Sequence, residues 1–560
     1  MMLRLAAPFA IALLVGPILF GLAATLLPAL GYFPSMGGTQ FSLEPFQLLF
    51  ERPGLFQSAA ISLASALVTP FVALASVALF VAGWSGTRIF QKLQHFVSPL
   101  LSVPHAAAAF GLAFLIAPSG WLLRMISPEL TGLERPPDLL ILHDPMGISM
   151  MVGLIVKEIP FLLLVTLAAM PQIDAQRNAQ VARGLGYGRL AGFAFTAWPR
   201  LYPQIRLAVY AVVAYASGVV DVAIILGPNN PAPLSPRLLG WMNDPDIGMR
   251  FEASAGAMLQ LGVTLLALSV WWVGEILLAQ IRKVMYRNGY RFAKDWLPRQ
   301  ISLIWICVSA SVVFLGLIIL AIWSFAGFWS FPDALPDAFT SRNWLRSLPG
   351  LGQPLFNSLV IGGVATLLAI SISLACLEHE VRVLKTNYPR ALLIIYLPLL
   401  VPQTGFVFGL QIFFLWLDLD ATLLAVILVH LVFVFPYVFL SLSASWRAWD
   451  MRYRSIAHGF GASDNRVFWK IRFPMMMRAI LVAMAVGFAV SIGQYLPTVL
   501  IGAGRQPTIT SEAVTLASGG DRRIIGVYAF LQMLLPFAGF ALATMIPGIL
   551  FRNRIDMKAA

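Results

Sequence analysis

Uninterrupted apolar runs of about 20 residues dominate this chain, and they leave it few possible folds. They lie near residues 5–28, 57–83, 98–117, 148–170, 206–227 and 255–281, then 301–325, 356–377, 392–416, 421–443, 479–502 and 524–550. At 1.5 Å per residue, a helix of that length crosses the hydrocarbon core of a bilayer. A sheet would leave open edges that lipid cannot hydrogen-bond, so helices are the expected form. Composition agrees: 59% of the 560 residues are hydrophobic and 11% charged, against about 25% charged in soluble proteins. The expectation is an all-α integral membrane protein with twelve transmembrane helices. The first run exceeds the apolar core of a signal peptide, and it is read as a retained span.

The net charge of +13 could suggest nucleic acid, but the basic residues fall in short loops between the apolar runs, not in one patch. With the N-terminus inside, about 27 Lys and Arg fall in cytoplasmic segments and about 10 outside, which is the positive-inside bias. Both ends of the chain are then cytoplasmic. Outer loops are expected at about 29–56, 118–147, 228–254, 326–355, 417–420 and 503–523. The two cysteines, Cys307 and Cys376, lie inside apolar runs and suit neither a disulfide framework nor a thiolate metal cage.

The runs divide into six plus six, joined by the basic, polar segment Arg282 to Arg299. The halves repeat one another. Phe56 opens FQSAAISLASALVTPFVALA and Phe356 opens FNSLVIGGVATLLAISISLA, while Pro104 with Phe110-Gly111-Leu112 matches Pro402 with Phe408-Gly409-Leu410. Both halves begin inside, so the repeat is parallel and its axis should lie along the membrane normal. The expected organisation is a first repeat at 1–281, a cytoplasmic linker at 282–300 and a second repeat at 301–560.

The longest cytoplasmic loop of each half, at 171–205 and 444–478, carries a shared pattern. QVARGLGYGRLAGFAFTAWP runs from Gln180 to Pro199, and SIAHGFGASDNRVFWKIRFP from Ser455 to Pro474. Each reads as a short helix stopped by a glycine free to take positive φ, then a second helix ending near a proline. In the second loop Phe468, Trp469, Ile471 and Phe473 alternate with Arg466, Lys470 and Arg472, which predicts an apolar ridge on a basic helix.

This spacing resembles the EAA motif of ABC importer permeases: Glu-Ala-Ala, three residues, Gly, nine residues, Ile, one residue, Leu-Pro. Gln180, Val181, Ala182, Gly186, Thr196, Trp198 and Pro199 occupy its positions in the first half. Ser455, Ile456, Ala457, Gly461, Ile471, Phe473 and Pro474 do so in the second, and both motif Glu positions are lost. The resemblance covers the whole chain and is closest to the fused double permeases of ferric-iron, thiamine and related importers, including an uncharacterised inner-membrane branch.

It implies a multi-pass protein of the bacterial inner membrane and two six-helix permease repeats. The motif loops would couple to two copies of a cytoplasmic ABC ATPase, and a periplasmic substrate-binding protein would deliver a small molecule or ion. No cofactor is expected in this chain; the sequence has no G-x-x-x-x-G-K-[ST] loop, so ATP would bind the partner. Ferric iron, thiamine, polyamine and phosphonate all stay open as substrates. Two other classes compete. A major-facilitator-like secondary transporter also has six plus six parallel halves, but its glycine-rich loop would fall between the second and third spans, where this chain has only GTRIFQKLQH. A membrane glycosyltransferase would need paired carboxylates at a membrane face; Asp418 with Asp420, and Glu378-His379-Glu380, read instead as solvated helix ends.

Ionisable groups inside spans cost about 2.5–3.5 kcal/mol each on the insertion scale and are candidates for the translocation pathway. These are Lys157 and Glu158 in the fourth run, Asp221 in the fifth with Gln494 as its approximate counterpart, and His430 in the tenth. His105 begins the third run, where Gln403 holds the matching place. His430 and His105 read as histidines hydrogen-bonded between helices; no metal site is expected. Asp221 has two readings: a structural pair with Lys157, within a lysine's reach by helical rise, or an acidic group at the outer gate that attracts a cationic substrate. Pro104, Pro160, Pro402 and Pro436 should bend or interrupt their helices.

Overall fold

A computed structural model describes residues 2–384 and 389–552. Residues 553–560, the end of the expected second repeat, lie outside the described residues. Among the described residues there are helices and no strand; pairing of the strand type is confined to two isolated bridges, Phe33 with Gly38 and Ala326 with Phe339.

Every apolar run is helical. The first half contains α1 (Met2–Ala29), α2 (Leu55–Trp84), α3 (His105–Ile116), α4 (Ile148–Ala169), α5 (Ala175–Gly184), α6 (Arg189–Gly192), α7 (Trp198–Gly218), α8 (Asp221–Leu226) and α9 (Met249–Arg287). The second contains α10 (Trp296–Phe325), α11 (Arg342–His379), α12 (Pro389–Leu400), α13 (Gln403–Trp416), α14 (Leu423–Arg447), α15 (Arg452–Gly459), α16 (Asp464–Val467), α17 (Met477–Ile492), α18 (Leu496–Gly502) and α19 (Arg522–Leu550). Nine helices among the described residues are long and apolar enough to cross a membrane, or eleven if each of two sharply bent pairs forms one span. The run at 206–227 is the one outside that set: α7 carries Arg200, Pro203, Gln204 and Arg206 in its first half, and it stops at Gly218.

The helix breaks follow the backbone chemistry of proline. Pro104 and Pro402 stand immediately before α3 and α13, in extended conformation, where a missing N–H costs nothing. The chain bends by 92° between Leu393–Leu400 and Gln403–Trp416. Pro160 and Pro436 stay inside α4 and α14.

The same neighbours meet in both halves. In the first, α2, α4 and α7 pack on one another; in the second, α11, α14 and α17 do so. The two halves also interlock, because α1 packs against α13 of the other half and α10 against α3. Both crossings are made by glycines. A Cβ built on Gly409 would lie 2.0 Å from the Gly21 carbonyl oxygen, and one on Gly111 would lie 2.8 Å from the Gly316 carbonyl carbon. Close backbone approach of this kind holds helices together in lipid, where apolar side chains gain nothing by leaving the solvent. The repeated Phe-Gly-Leu is thus a pair of crossing points. At the first of them Gly409 N–H donates to Thr25 Oγ1 at 3.0 Å, and Thr25 donates to Gly21 O at 2.8 Å.

Large apolar side chains stay exposed along the outer helices, including Leu265, Leu266, Leu277 and Leu278 on α9 and Ile301, Ile304 and Val308 on α10. In water this would be a liability; in a bilayer it is the solvated face.

Candidate functional site

The two motif loops share one backbone. Ala182 with Ala457, Gly186 with Gly461 and Pro199 with Pro474 are each 275 residues apart. In the first loop Tyr187 N–H donates to Ala182 O (3.1 Å) and Gly186 N–H to Arg183 O (3.0 Å); in the second Ala462 donates to Ala457 (3.0 Å) and Gly461 to His458 (2.9 Å). This ends each short helix in a left-handed residue, with φ of +84° at Gly186 and +75° at Gly461, a region that glycine enters without steric cost. Ala182 and Ala457 are buried under the turn, where Ala182 Cβ lies 2.9 Å from a Cβ built on Gly192.

The second helix of each loop differs from its expected course, because it continues through its proline rather than ending there. A π-turn, Phe193–Ala197 or Phe468–Arg472, precedes Pro199 or Pro474. Proline's ring strikes the carbonyl four residues back, here Phe195 or Lys470, and the wider turn displaces that carbonyl beforehand. The first loop thus runs without a break into α7, and the second runs to Met475 and turns at Met476 into α17.

The apolar ridge also lies elsewhere than expected. Phe468, Ile471 and Phe473 are half-buried, and Phe468 and Phe473 pack against neighbouring rings; only Trp469 of that group is exposed. The exposed apolar side chains shared by both loops are at the C-terminal end of the first short helix: Val181 (59% exposed) and the C-cap residue Leu185 (60%), matched by Ile456 (59%) and the C-cap residue Phe460 (87%). Four residues apart, each pair shares one helix face. Alternation in the second helix concealed this, since that helix uses its rings to fasten itself to the bundle. Gln180 and Ser455, which replace the motif Glu, are exposed beside these pairs.

Different structures brace the two loops. The linker holds the first: Gly188 N–H donates to Arg291 O (3.1 Å) and Leu190 N–H to Asp295 Oδ2 (2.9 Å), so Asp295 caps α6 from a distance. Arg189 and Arg299 both donate to Gly83 O at the end of α2. The second loop supplies its own cap, Ser463, and is held by a cluster of ion pairs. Glu378 accepts from Arg382 Nε (2.6 Å) and Arg472 Nη1 (2.9 Å); Arg472 also donates to Trp446 O and lies 4.2 Å from the Trp446 ring centre. Glu380 pairs with Arg447 (2.8 Å). The reading of Glu378-His379-Glu380 as solvated helix ends is therefore corrected: Glu378 and His379 are buried, and besides the neighbouring Arg382 the partners are Arg447 on α14 and Arg472 in the motif loop, 67 and 94 residues away in the chain and beyond the reach of any local pattern. Asp464 lies between Arg454 (2.9 Å) and His458 (3.1 Å). Burial works to raise its carboxyl, but the Arg454 guanidinium, with Arg382 and His458, outweighs it and holds the group below its ordinary value.

A second constellation lies where the helix breaks of the two halves meet. A Cβ on Gly218, at the end of α7, would touch Pro402 Cβ at 3.4 Å. Around this junction His105 Nε2 contacts Glu158 Oε1 at 3.0 Å, the His105 ring lies 4.7 Å from that of Tyr215, and Gln403 donates to Gln494 Oε1 at 3.4 Å. Asp221 opens α8, while Tyr215 lies on α7, Tyr437 on α14 and Tyr495 just before α18.

The structure does not pair Asp221 with Lys157. Lys157 Nζ donates instead to Leu100 O (3.3 Å) and Leu101 O (3.2 Å), carbonyls freed by the break before Pro104. His430 is buried, with Nδ1 on Ser491 Oγ (2.8 Å) and Nε2 on Thr498 Oγ1 (2.9 Å), so its ring ties α14 to both sides of the break between α17 and α18. The 275-residue register, applied to α8 and α18, aligns Asp221 with Leu496 rather than with Gln494. Tyr215, whose ring lies against that of His105, was not legible as a site residue, because aromatic residues inside apolar runs look like ordinary packing.

Residues 368–555 match the family described as binding-protein-dependent transport system inner membrane component. The chain is 33% identical over 508 residues to the inner membrane ABC transporter permease protein YnjC of Escherichia coli K12, covering 90% of this chain and 91% of that one. It is 27% identical over 240 residues to the putative 2-aminoethylphosphonate transport system permease protein PhnV of Salmonella paratyphi A, covering 41% of this chain but 87% of that one. A probable ABC transporter permease, y4fN of Sinorhizobium fredii, is 25% identical over 370 residues, 65% of this chain and 63% of that one.

Proposed function

The chain belongs to the inner-membrane permeases of binding-protein-dependent ABC transporters, and from that premise we propose how it is built and coupled. It is a multi-pass transport component and not an enzyme, and the secondary-transporter and glycosyltransferase readings give way to this family. Such permeases work with an ATPase and a substrate-binding protein. In our reading 1–281 and 301–560 are two permease repeats fused by the linker 282–300, and PhnV, most of whose length matches less than half of this chain, corresponds to one of them. Each motif loop faces the cytoplasm and engages one of two ATPase copies, which bind the ATP, while a periplasmic binding protein docks on the opposite face.

One observation carries this reading: Val181 with Leu185 and Ile456 with Phe460 leave two equivalent apolar pairs exposed on two equivalent short helices. Exposed pairs at i and i+4 are anchors of the kind that an amphipathic helix lays in a groove. Gln180, Ala182, Gly186 and Pro199, with Ser455, Ala457, Gly461 and Pro474, shape the turns that present them. Burying a Leu or Phe side chain is worth about 1.5–3 kcal/mol, so losing one anchor should weaken ATPase binding by about 10-fold to 100-fold. The test replaces Leu185 and Phe460 by Asp, singly and together, and measures the ATPase retained by the affinity-purified permease. We expect partial loss in each single variant and full loss in the double, at normal permease yield. Wild-type retention in the double variant would remove the coupling assignment.

A further inference from the structure

The last long helix of each half, α9 or α19, carries an arginine in its first turn, and the two arginines are provided for differently. Arg250 and Arg522 are equivalent, since each stands ten residues before a fully buried glutamine, Gln260 or Gln532. Both glutamines serve the break in a preceding helix: Gln260 donates to Ser217 O at 2.9 Å, and Gln532 donates to Thr510, which donates to Ile492 O. Arg522 has protein partners. It donates to Ser119 O at 3.3 Å, and its guanidinium lies 5.9 Å from the Phe114 ring centre and 5.8 Å from that of Trp323. One turn further, Gly526 packs so closely that a Cβ there would lie 2.9 Å from Ser324 N.

Arg250 has none of these. It is half-buried, and among the described residues its guanidinium makes no hydrogen bond, ion pair or ring contact. Ser254 stands where the other half has Gly526, and beside it the structure leaves a cavity of about 20 Å³ next to Gly409, lined by Arg250, Ser254, Gln411 and Thr25 among apolar side chains. That volume admits one water-sized body. Ser254 is 3% exposed, and among the described residues neither its hydroxyl nor the Gln411 amide has a partner. Polar groups buried in this way cost stability until something meets them.

The free groups around this cavity are suited to donate. A guanidinium has no acceptor, and a hydroxyl and an amide each carry N–H or O–H. Thr25 Oγ1 already accepts from Gly409 N–H and donates to Gly21 O. No carboxylate lines the space. Glu252, on the same turn as Arg250, is held by Arg52 at 2.7 and 3.1 Å, while Asp244 and Asp246 accept from backbone N–H groups of their own loop.

We propose that this cavity binds one small inorganic anion of about the size of chloride, taken from the outer solution, which stands to Arg250 as Ser119 O stands to Arg522. A water molecule would satisfy the hydroxyl and the amide but leave the half-buried cation without a counter-charge. Phosphate and sulfate are larger than the space. Arg250, Ser254 and Thr25 belong to the first half and Gln411 to the second, so the anion fastens the halves to each other where α1 crosses α13.

The experiment melts the full-length permease in phosphatidylcholine nanodiscs, in sodium chloride from zero to about 200 mM, with sodium gluconate holding the ionic strength constant. Gluconate is too large to enter. We expect the melting temperature to rise saturably with chloride, by about 1–3 °C. Arg250→Gln should abolish the rise, Arg250→Lys should keep it, and Ser254→Ala should raise the half-saturating chloride concentration at least about 3-fold. Arg522→Gln removes a cation that the protein itself satisfies, and it should leave the chloride response intact. Absence of a saturable rise in the wild type, or an undiminished rise in Arg250→Gln, would overturn the proposal. So would an Arg250-dependent stabilisation by phosphatidylglycerol nanodiscs in gluconate alone, because the occupant would then be a lipid phosphate. The melting is read on the permease alone, so its outcome stands apart from whether the motif loops bind an ATPase.

Discussion

Glu378 and Arg472 show what one buried ion pair contributes to the second motif loop. Both are almost wholly buried, and their contact at 2.9 Å fastens the end of α11 to the π-turn of the second motif loop. Removing one partner leaves an uncompensated charge, which costs about 3–5 kcal/mol, whereas replacing both by apolar residues is often neutral. Glu378→Met and Arg472→Met should therefore each lower the melting temperature of the solubilised permease and its ATPase retention, and the double variant should recover most of the loss. A double variant no better than the worse single one would mean that the pair is not the brace. Neither role was legible in the sequence. Glu378 sits at a helix end like any solvated carboxylate, and Arg472 sits in a basic run that reads as headgroup contact. By contrast Gly186 and Gly461 were legible, because the need for positive φ after a short helix is local and only glycine meets it without strain.

Helix placement was the most legible level, since the span length and the prolines are both written locally. All twelve apolar runs are helical, and Pro104 and Pro402 interrupt where expected. Less legible was how helices end: the π-turns before Pro199 and Pro474 let a helix continue where proline chemistry alone predicts a stop. The repeated Phe-Gly-Leu could be seen but not explained until α1 was found crossing α13 and α10 crossing α3 through glycine pairs. That explanation makes a prediction. Gly409→Val places a side chain on the Gly21 carbonyl and must drive the helices apart, at about 1–3 kcal/mol or more. Permease yield and melting temperature should both fall, while Gly363→Val, on α11 with open space around it, should change neither. Equal behaviour of the two variants would show that the glycine crossing is not what locks the halves.

At the scale of the whole molecule, the chain repeats a backbone without repeating its chemistry. The two motif loops agree at every turn, yet the linker braces one and the ion-pair cluster braces the other. The junction between the halves takes the His105–Glu158 pair from the first half, where the second supplies Gln403 and Gln494. Fusion permits this, because one chain fixes which half faces which, and each half can then specialise. If the loops couple as proposed, backbone equivalence calls for two docking sites for the ATPase, one for each exposed apolar pair. Native mass spectrometry of the intact complex, released from detergent after purification through a tag on this chain, counts them directly. Our account predicts one permease chain with two ATPase copies, falling to one copy in either Leu185→Asp or Phe460→Asp; a wild-type complex with a single ATPase, or with none, would contradict it.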